Sequence, residues 1–382
     1  MSVFAIAAGG TAGHINPALA LAHELRNRGH EVRFYGTKKG MEATLVPQEG
    51  FSFEGLDVSG FDRSRPWTAV TALVKMQRAR KALLAEFARD GKPAAAVGFG
   101  AYVCFPLAAA AAKAGVPLVL HEQNSVPGMA NKALAKDAAV LALTYPVSQA
   151  KFEGKFGAAT RVEVVGNPVR ASVLAPTREE GRATLGIPAQ ARVLLVFGGS
   201  LGAAHLNQTA VALKSELLGR SDVYVIHAAG KRDYEQTKQA LALTDAEAAR
   251  WRLMPYIDDM GSCLAAADLV FSRAGASSIA EIAARGVPSV LVPYPYATEN
   301  HQAQNALLLS DVDGAVVVED DALDAPEFAG NFLALLDDAP RLAAMRSNVE
   351  ALGYSGATAR LADAVEAVAR WSCSLCPQVQ RG

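Results

Sequence analysis

Short apolar runs recur along the first half of the chain, separated by longer stretches with helical spacing. Residues 3–8, 95–97, 118–120 and 139–142 are wholly apolar, and 31–35 and 162–165 are mostly so. Strands of a parallel sheet read this way when helices cover both of its faces. Residues 17–27 and 105–114 are predicted helices between them. The second half repeats the scheme with strands at 193–197, 223–227, 251–254, 269–272, 289–292 and 315–318. The turn-rich stretch Gly166-Asn167-Pro168-Val169-Arg170 marks the joint, so the expected domains are 1–166 and 167–349. A long final helix is predicted over 340–371. Its end, about 350–371, is a candidate to pack back on the first domain.

Each half opens with the same device. Residues 3–8 run into Gly9-Gly10-Thr11-Ala12-Gly13-His14, and residues 193–197 run into Gly198-Gly199-Ser200-Leu201-Gly202-Ala203. One glycine turn after a strand is a weak signal, because any tight strand-to-helix reversal favours glycine. Two copies, each opening half of the chain, predict an α/β protein of two Rossmann-like parallel-sheet domains facing a cleft that holds a ligand. The copies differ after the turn, where His14 corresponds to Ala203, so the two loops are expected to do different jobs.

Composition narrows the picture. A chain of 382 residues fits two or three domains, and 51% apolar with 20% charged residues describes an ordered globular protein. The formal net charge of −1 carries no nucleic-acid signal, so anion recognition must be local. Cys373 and Cys376 form a CxxC pair without a second ligand pair, and the four cysteines read as reduced thiols. Residues 94–112 are free of charge but broken by Gly98, Gly100 and Pro106; a strand, a loop and a buried helix suit them better than a membrane span. Residues 3–8 form a core strand and not a signal peptide, so a soluble cytoplasmic protein is expected.

Several positions could carry chemistry. His14 and Asn16 follow the first turn, and His121-Glu122-Gln123-Asn124 follow another strand, where an open α/β sheet meets its ligand. His14 is a candidate general base near neutral pH; a histidine at a helix start also serves as a structural donor. In Phe271-Ser272-Arg273-Ala274-Gly275-Ala276-Ser277-Ser278 a strand ends and a helix begins among small residues. Free N–H groups there suit a diphosphate, with Glu281 a turn later for a ribose diol, although a well-capped core helix reads equally well. Ile257 and Tyr256 lie on a loop suited to a base, while Asp258 and Asp259 read as helix caps. Asn300 and Gln302 offer amides to sugar hydroxyls. The Asp311-Val312-Asp313 triplet matches a metal-binding DxD, but the Gly314 that follows makes it a turn.

The segment 67–87 is a predicted amphipathic helix. Trp67, Val70, Leu73, Val74, Leu84 and Phe87 recur at helical spacing, and Arg63, Arg65, Lys75, Arg78, Arg80 and Lys81 add positive charge. Such a helix fits an anionic membrane surface, and its apolar face equally suits packing on the sheet.

Together, the two glycine turns, His121 to Asn124, Gly166 to Arg170, and Ser272 through Glu281 resemble the MurG family across the whole chain. These bacterial enzymes move N-acetylglucosamine from UDP to undecaprenyl-pyrophosphoryl-muramyl-pentapeptide, turning lipid I into lipid II. The resemblance implies the GT-B fold, inverting transfer, no cofactor and no metal, at the cytoplasmic face of the inner membrane. It also implies roles by position. Ile257 would meet uracil and Glu281 the ribose. Arg170, Ser200 and the helix start Ala276, Ser277 and Ser278 would hold the diphosphate, and Gln302 the sugar. Thr11, Ala12, Gly13, His14 and Asn124 would complete the acceptor side. The chain departs from the family at Ala12, where glycine is frequent, and at His301, where some members have glutamine. A nicotinamide dehydrogenase would need an acid after the second strand, where Gly36-Thr37-Lys38 stands. A UDP-N-acetylglucosamine 2-epimerase of the same fold is the alternative, and a sugar-binding module would have no use for His14.

Overall fold

The computed structural model describes residues 1–60, 67–199 and 202–374. The chain forms two compact units, Met1–Arg170 with Gly356–Gly382, and Ala171–Ser355. Each is an α/β unit on one all-parallel sheet.

The first sheet contains β1 (Val3–Ala7), β2 (Glu31–Thr37), β3 (Ser52–Leu56), β4 (Ala95–Gly98), β5 (Leu118–Glu122), β6 (Val140–Leu143) and β7 (Arg161–Val164), in the order β3-β2-β1-β4-β5-β6-β7. Side chains alternate between the two faces of a strand. Phe4 and Ile6 enter one core with Ile15, Leu21 and Val365, while Ala5 and Ala7 enter the other with Leu83, Phe87 and Leu107. Apolar residues are needed on both sides, which is why β1 shows no alternation. The sequence reading missed β3, whose residues are Ser-Phe-Glu-Gly-Leu. It is an edge strand with exposed positions and no apolar run.

The second sheet contains β8 (Arg192–Phe197), β9 (Val223–Ala228), β10 (Trp251–Met254), β11 (Leu269–Ser272), β12 (Ser289–Leu291) and β13 (Ala315–Val317), in the order β10-β9-β8-β11-β12-β13. Leu194, Val196, Val225 and Phe271 build its core with Phe328, Phe332 and Leu336 from the helix Pro326–Asp337.

The two sheets share one connectivity. From β1 the chain winds outward to β3 and then crosses back to β4; from β8 it winds outward to β10 and crosses back to β11. The carboxyl ends of β1 and β4, and of β8 and β11, are therefore switch points, where open α/β sheets bind ligands. Both glycine turns lie there.

The predicted final helix is two helices. Ala339–Glu350 stays in the second unit, the chain turns at Gly353 (φ +65°), and Ala357–Ser374 belongs to the first. Leu361, Val365 and Val368 enter the β1 core, while Arg28 pairs with Asp363 (2.6 Å) and Glu366 (3.2 Å). The Val169 N–H donates to the Thr358 hydroxyl, which donates back to the Val169 carbonyl, so the compact unit extends through Arg170.

The helix Thr68–Asp90 divides along its length. Ala79, Leu83 and Phe87 are buried, whereas Trp67 just before it and Val70 are about two-thirds exposed, with Leu73 and Val74 also open. Arg63, Arg65 and Cys376 lie outside the described residues. Residues 94–112 form β4, a loop and the helix Cys104–Ala114. Among the described residues no helix is long and apolar enough to cross a membrane.

Candidate active site

In the first unit the helix after β1 runs Ala12–Asn27 and starts ahead of the expected residue 17. Pro17 therefore sits inside it, where its ring removes the bond to the Gly13 carbonyl. Ala12, Gly13 and His14 form the first turn and Thr11 the N-cap. His14 is half-buried, with Nδ1 3.1 Å from Thr11 Oγ1. Its ring lies against Gly100, where a Cβ would sit 3.3 Å from Cδ2 and Nε2; Gly100 has φ +92°, so glycine fits there twice over. Burial holds the His14 pKa below its ordinary 6.5, partly opposed by a hydrogen bond to the Gly9 backbone. The helix N-terminus acts in the same direction as burial.

Two buried carboxylates shape the surrounding loops. Glu42 accepts from the Thr37 N–H (2.8 Å) and hydroxyl (2.7 Å) and from the Gly10 N–H (3.4 Å). A Cβ at Gly9, Gly36 or Gly40 would run into its side chain, so three glycines make room for one acid beneath the turn. The sequence reading missed Glu42, because only the fold gathers those glycines. Glu122, the last residue of β5, accepts from the N–H groups of Asn124 and Gly128 (both 3.0 Å) and from Asn131 Nδ2 (2.8 Å). Burial pushes its carboxyl above the ordinary range while these donors pull it back. Asn124 is thereby fixed at the carboxyl end of the sheet. His121 is buried with Nε2 donating to the Gly166 carbonyl (2.9 Å), and burial lowers its pKa to about 4. It is a neutral structural histidine.

In the second unit the turn after β8 has Gly199 at φ +87° and Gly202 at φ +83°; Ser200 lies outside the described residues. The helix Ala276–Arg285 begins after β11 with Gly275 at its N-cap, no side-chain cap and no acid in the first turn. Ser277 Oγ is buried there without a hydrogen-bond partner among the described residues. A helix start carries roughly half a positive charge, which favours an anion there. Glu281 follows on the same helix, half-buried. Ile257 is buried on the loop after β10, next to the exposed Tyr256. Asp259 caps the helix Met260–Ala266 through the Ser262 N–H (3.0 Å). Gln302 Oε1 accepts from the Tyr294 N–H (2.9 Å) and shapes the loop after β12. The Asp311-Val312-Asp313 stretch is the turn ending the helix His301–Ser310, with Asp313 at φ +52° and the Gly314 N–H on the Leu309 carbonyl. Arg170 ends the first unit, apart in the chain from the other residues expected at the diphosphate.

Arg273, quoted in the sequence but given no role there, proves central to this half-site. Its guanidinium donates to the Val292 and Pro293 carbonyls (both 3.2 Å) and pairs with Asp320 (2.5 Å).

Two parallel sheets, each with a glycine turn and a helix start at its switch point, are the architecture of the GT-B class of glycosyltransferases. The chain belongs to glycosyltransferase family 28: residues 4–142 match the family's N-terminal domain and residues 193–367 its C-terminal domain. Over 371 residues it is 38% identical to the UDP-N-acetylglucosamine--N-acetylmuramyl-(pentapeptide) pyrophosphoryl-undecaprenol N-acetylglucosamine transferase of Halothermothrix orenii, covering 95% of this chain and 98% of that one. It is similar to the crystal structure of Acinetobacter baumannii MurG, with TM-score 0.73, 28% identity, and coverage of 96% and 99%. A putative UDP-N-acetylglucosamine 2-epimerase from Listeria monocytogenes shares the fold, with TM-score 0.68, 15% identity, and 95% of each chain covered.

Proposed function

We propose that this protein transfers N-acetylglucosamine from UDP-N-acetylglucosamine to the 4-hydroxyl of the muramyl sugar in the undecaprenyl-linked pentapeptide, lipid I, forming lipid II. The observation that carries the reading is the asymmetry of the two switch points. Both helix starts lack a side-chain cap and a first-turn acid, but only the first carries a histidine, held with a lowered pKa, whereas the second carries Ser277 with Glu281 a turn later. Relatives with that transferase name match nearly the whole length, whereas the epimerase is alike in fold alone.

In the proposed reaction His14 accepts the proton of the 4-hydroxyl as its oxygen attacks the anomeric carbon with inversion. The bond from that carbon to the UDP oxygen breaks, and the electron pair leaves on the diphosphate. The start of the helix Ala276–Arg285, with Ser277, Ser278 and Arg170, stabilises the departing charge by fixed dipoles and donors. Glu281 accepts from the ribose hydroxyls, and Ile257 supplies backbone groups to uracil. Gln302 uses its Oε1 on Tyr294, so Nε2 is the end that meets the sugar. Thr11, Ala12, Gly13 and Asn124 line the acceptor side, and Ser200 reaches the diphosphate.

The exposed Trp67, Val70, Leu73 and Val74, beside Arg78 and Lys81, form the contact with an anionic membrane at its cytoplasmic face. Labelled UDP-N-acetylglucosamine supplied with a lipid I analogue tests the whole reading. Labelled disaccharide-lipid is the expected product; free epimerised sugar nucleotide without transfer would reject it.

A further inference from the structure

One carboxylate ties together the loops after four neighbouring strands. Asp320 follows β13. Its Oδ1 lies 2.5 Å from Arg273, the residue after β11, and Arg273 in turn binds the Val292 and Pro293 carbonyls after β12. Its Oδ2 lies 2.8 Å from Nδ1 of His205, in the first turn of the helix Ala204–Ala212 that follows β8 and its glycine turn. In the sheet these strands are adjacent, in the order β8-β11-β12-β13. The loops so joined are those that border the second switch point. Arg273 also lies over the Tyr294 ring, 5.7 Å from its centroid, which places the 293–296 loop on the same support.

His205 is the variable member of this set. Its Nε2 lies 3.2 Å from Asp324, so each ring nitrogen faces a carboxylate. Only the imidazolium has two N–H donors and can donate to both. The charged groups facing it among the described residues are Asp320 and Asp324, and Arg273 shares Asp320. The His205 pKa is accordingly raised, first by the bond to Asp320.

We infer that Asp320 and His205 are positioning residues whose ion pair sets the geometry of the UDP-binding loops, and that protonation of His205 tightens donor binding. This rests on the proposed reading of the second unit as the donor side. The sign follows directly. The clamp is complete below the raised pKa of His205, and it loosens as pH rises through that value, above 6.5. No group of the clamp needs to touch the nucleotide; Asp320 acts through Arg273 and His205.

UDP itself serves as the probe, titrated calorimetrically against the full chain from pH 6 to 9. The expected Kd rises several-fold across that range. In His205→Gln it is flat with pH and close to the wild-type value at high pH. Asp324 is largely exposed, so Asp324→Asn leaves the fold intact and shifts the midpoint of the UDP profile to lower pH. The His205 ring titration followed by NMR moves with it. Asp320→Asn raises the KM for the donor about ten-fold with a smaller change in kcat. UDP binding that is tight but indifferent to pH and to both His205 and Asp324 substitutions would overturn the clamp. Failure of wild-type protein to bind UDP at any pH would overturn the donor reading instead.

Discussion

At the residue scale, His14 and Glu42 sit beside the same turn and do separable work. His14 can accept a proton only while neutral, and its lowered pKa keeps it neutral to a pH below 6.5. The acid limb of kcat should therefore have its midpoint below pH 6.5 and vanish in His14→Ala. That variant should lose 10²- to 10⁴-fold in kcat, the usual worth of a positioned base, with the UDP Kd unchanged by calorimetry. A lost UDP affinity would move His14 to the donor side. Glu42 is itself buried and ties down the donors of two loops. Glu42→Ala strands the Thr37 N–H and hydroxyl, and a buried donor left unpaired costs ~1–3 kcal/mol. Urea unfolding should show a loss on the order of 3 kcal/mol, and Glu42→Gln, which retains an acceptor, should lose less. His14 was visible in the sequence because it follows a glycine turn. Glu42 was invisible, since Gly9 and Gly36 are distant in the chain and meet it only after β1 and β2 have paired.

At the scale of elements, the helix Thr68–Asp90 shows one amphipathic pattern serving two ends. Its sequence fits a sheet-packed helix and a membrane-surface helix alike. The fold assigns the first role to Ala79, Leu83 and Phe87 and leaves Trp67, Val70, Leu73 and Val74 exposed. Substitutions should separate accordingly. Phe87→Ala should lose about 3–5 kcal/mol of stability, as large core truncations do. Leu73→Glu should change stability by less than about 0.5 kcal/mol. It should nonetheless weaken sedimentation with phosphatidylglycerol vesicles, by removing apolar contact and adding a like charge. Unchanged vesicle binding in Leu73→Glu would remove this surface from the membrane reading. The same scale explains the divided final helix. Its apolar spacing continues through the break, but Gly353 at φ +65° turns the chain so that its two halves serve different cores.

For the whole molecule, each unit buries one neutral histidine among its strands. His121 is held at a pKa of about 4 by burial, and so is His227, whose Nε2 donates to Asn207 Oδ1 (2.9 Å). Unfolded chains protonate these rings near pH 6.5, whereas the folded units resist until about pH 4. The unfolded state then binds more protons, so stability is full above pH 6.5 and falls as pH drops toward 4. At 1.36 kcal/mol per unit of pKa, each histidine is worth roughly 3 kcal/mol by the end of that window. Denaturation at pH 7.5 and 4.5 should show this acid loss, and His227→Gln should reduce it. An equal loss in wild type and variant would exclude His227 as its source.

The sequence by itself determined the alternation of strands and helices, both glycine turns, the helix start after Ser272 and His14. These depend on local causes: the period of apolar positions, backbone that only glycine adopts easily, and residues adjacent in the chain. The tertiary structure alone decided the edge strand β3, the ends of the Pro17-containing helix and the return of Ala357–Ser374 to the first unit. It also decided the partners of buried charge. His205 meets Asp320 across 115 positions of sequence, because the order of strands in the sheet, and not their order along the chain, sets which loops are neighbours. A charge carries no mark of its partner until that order exists.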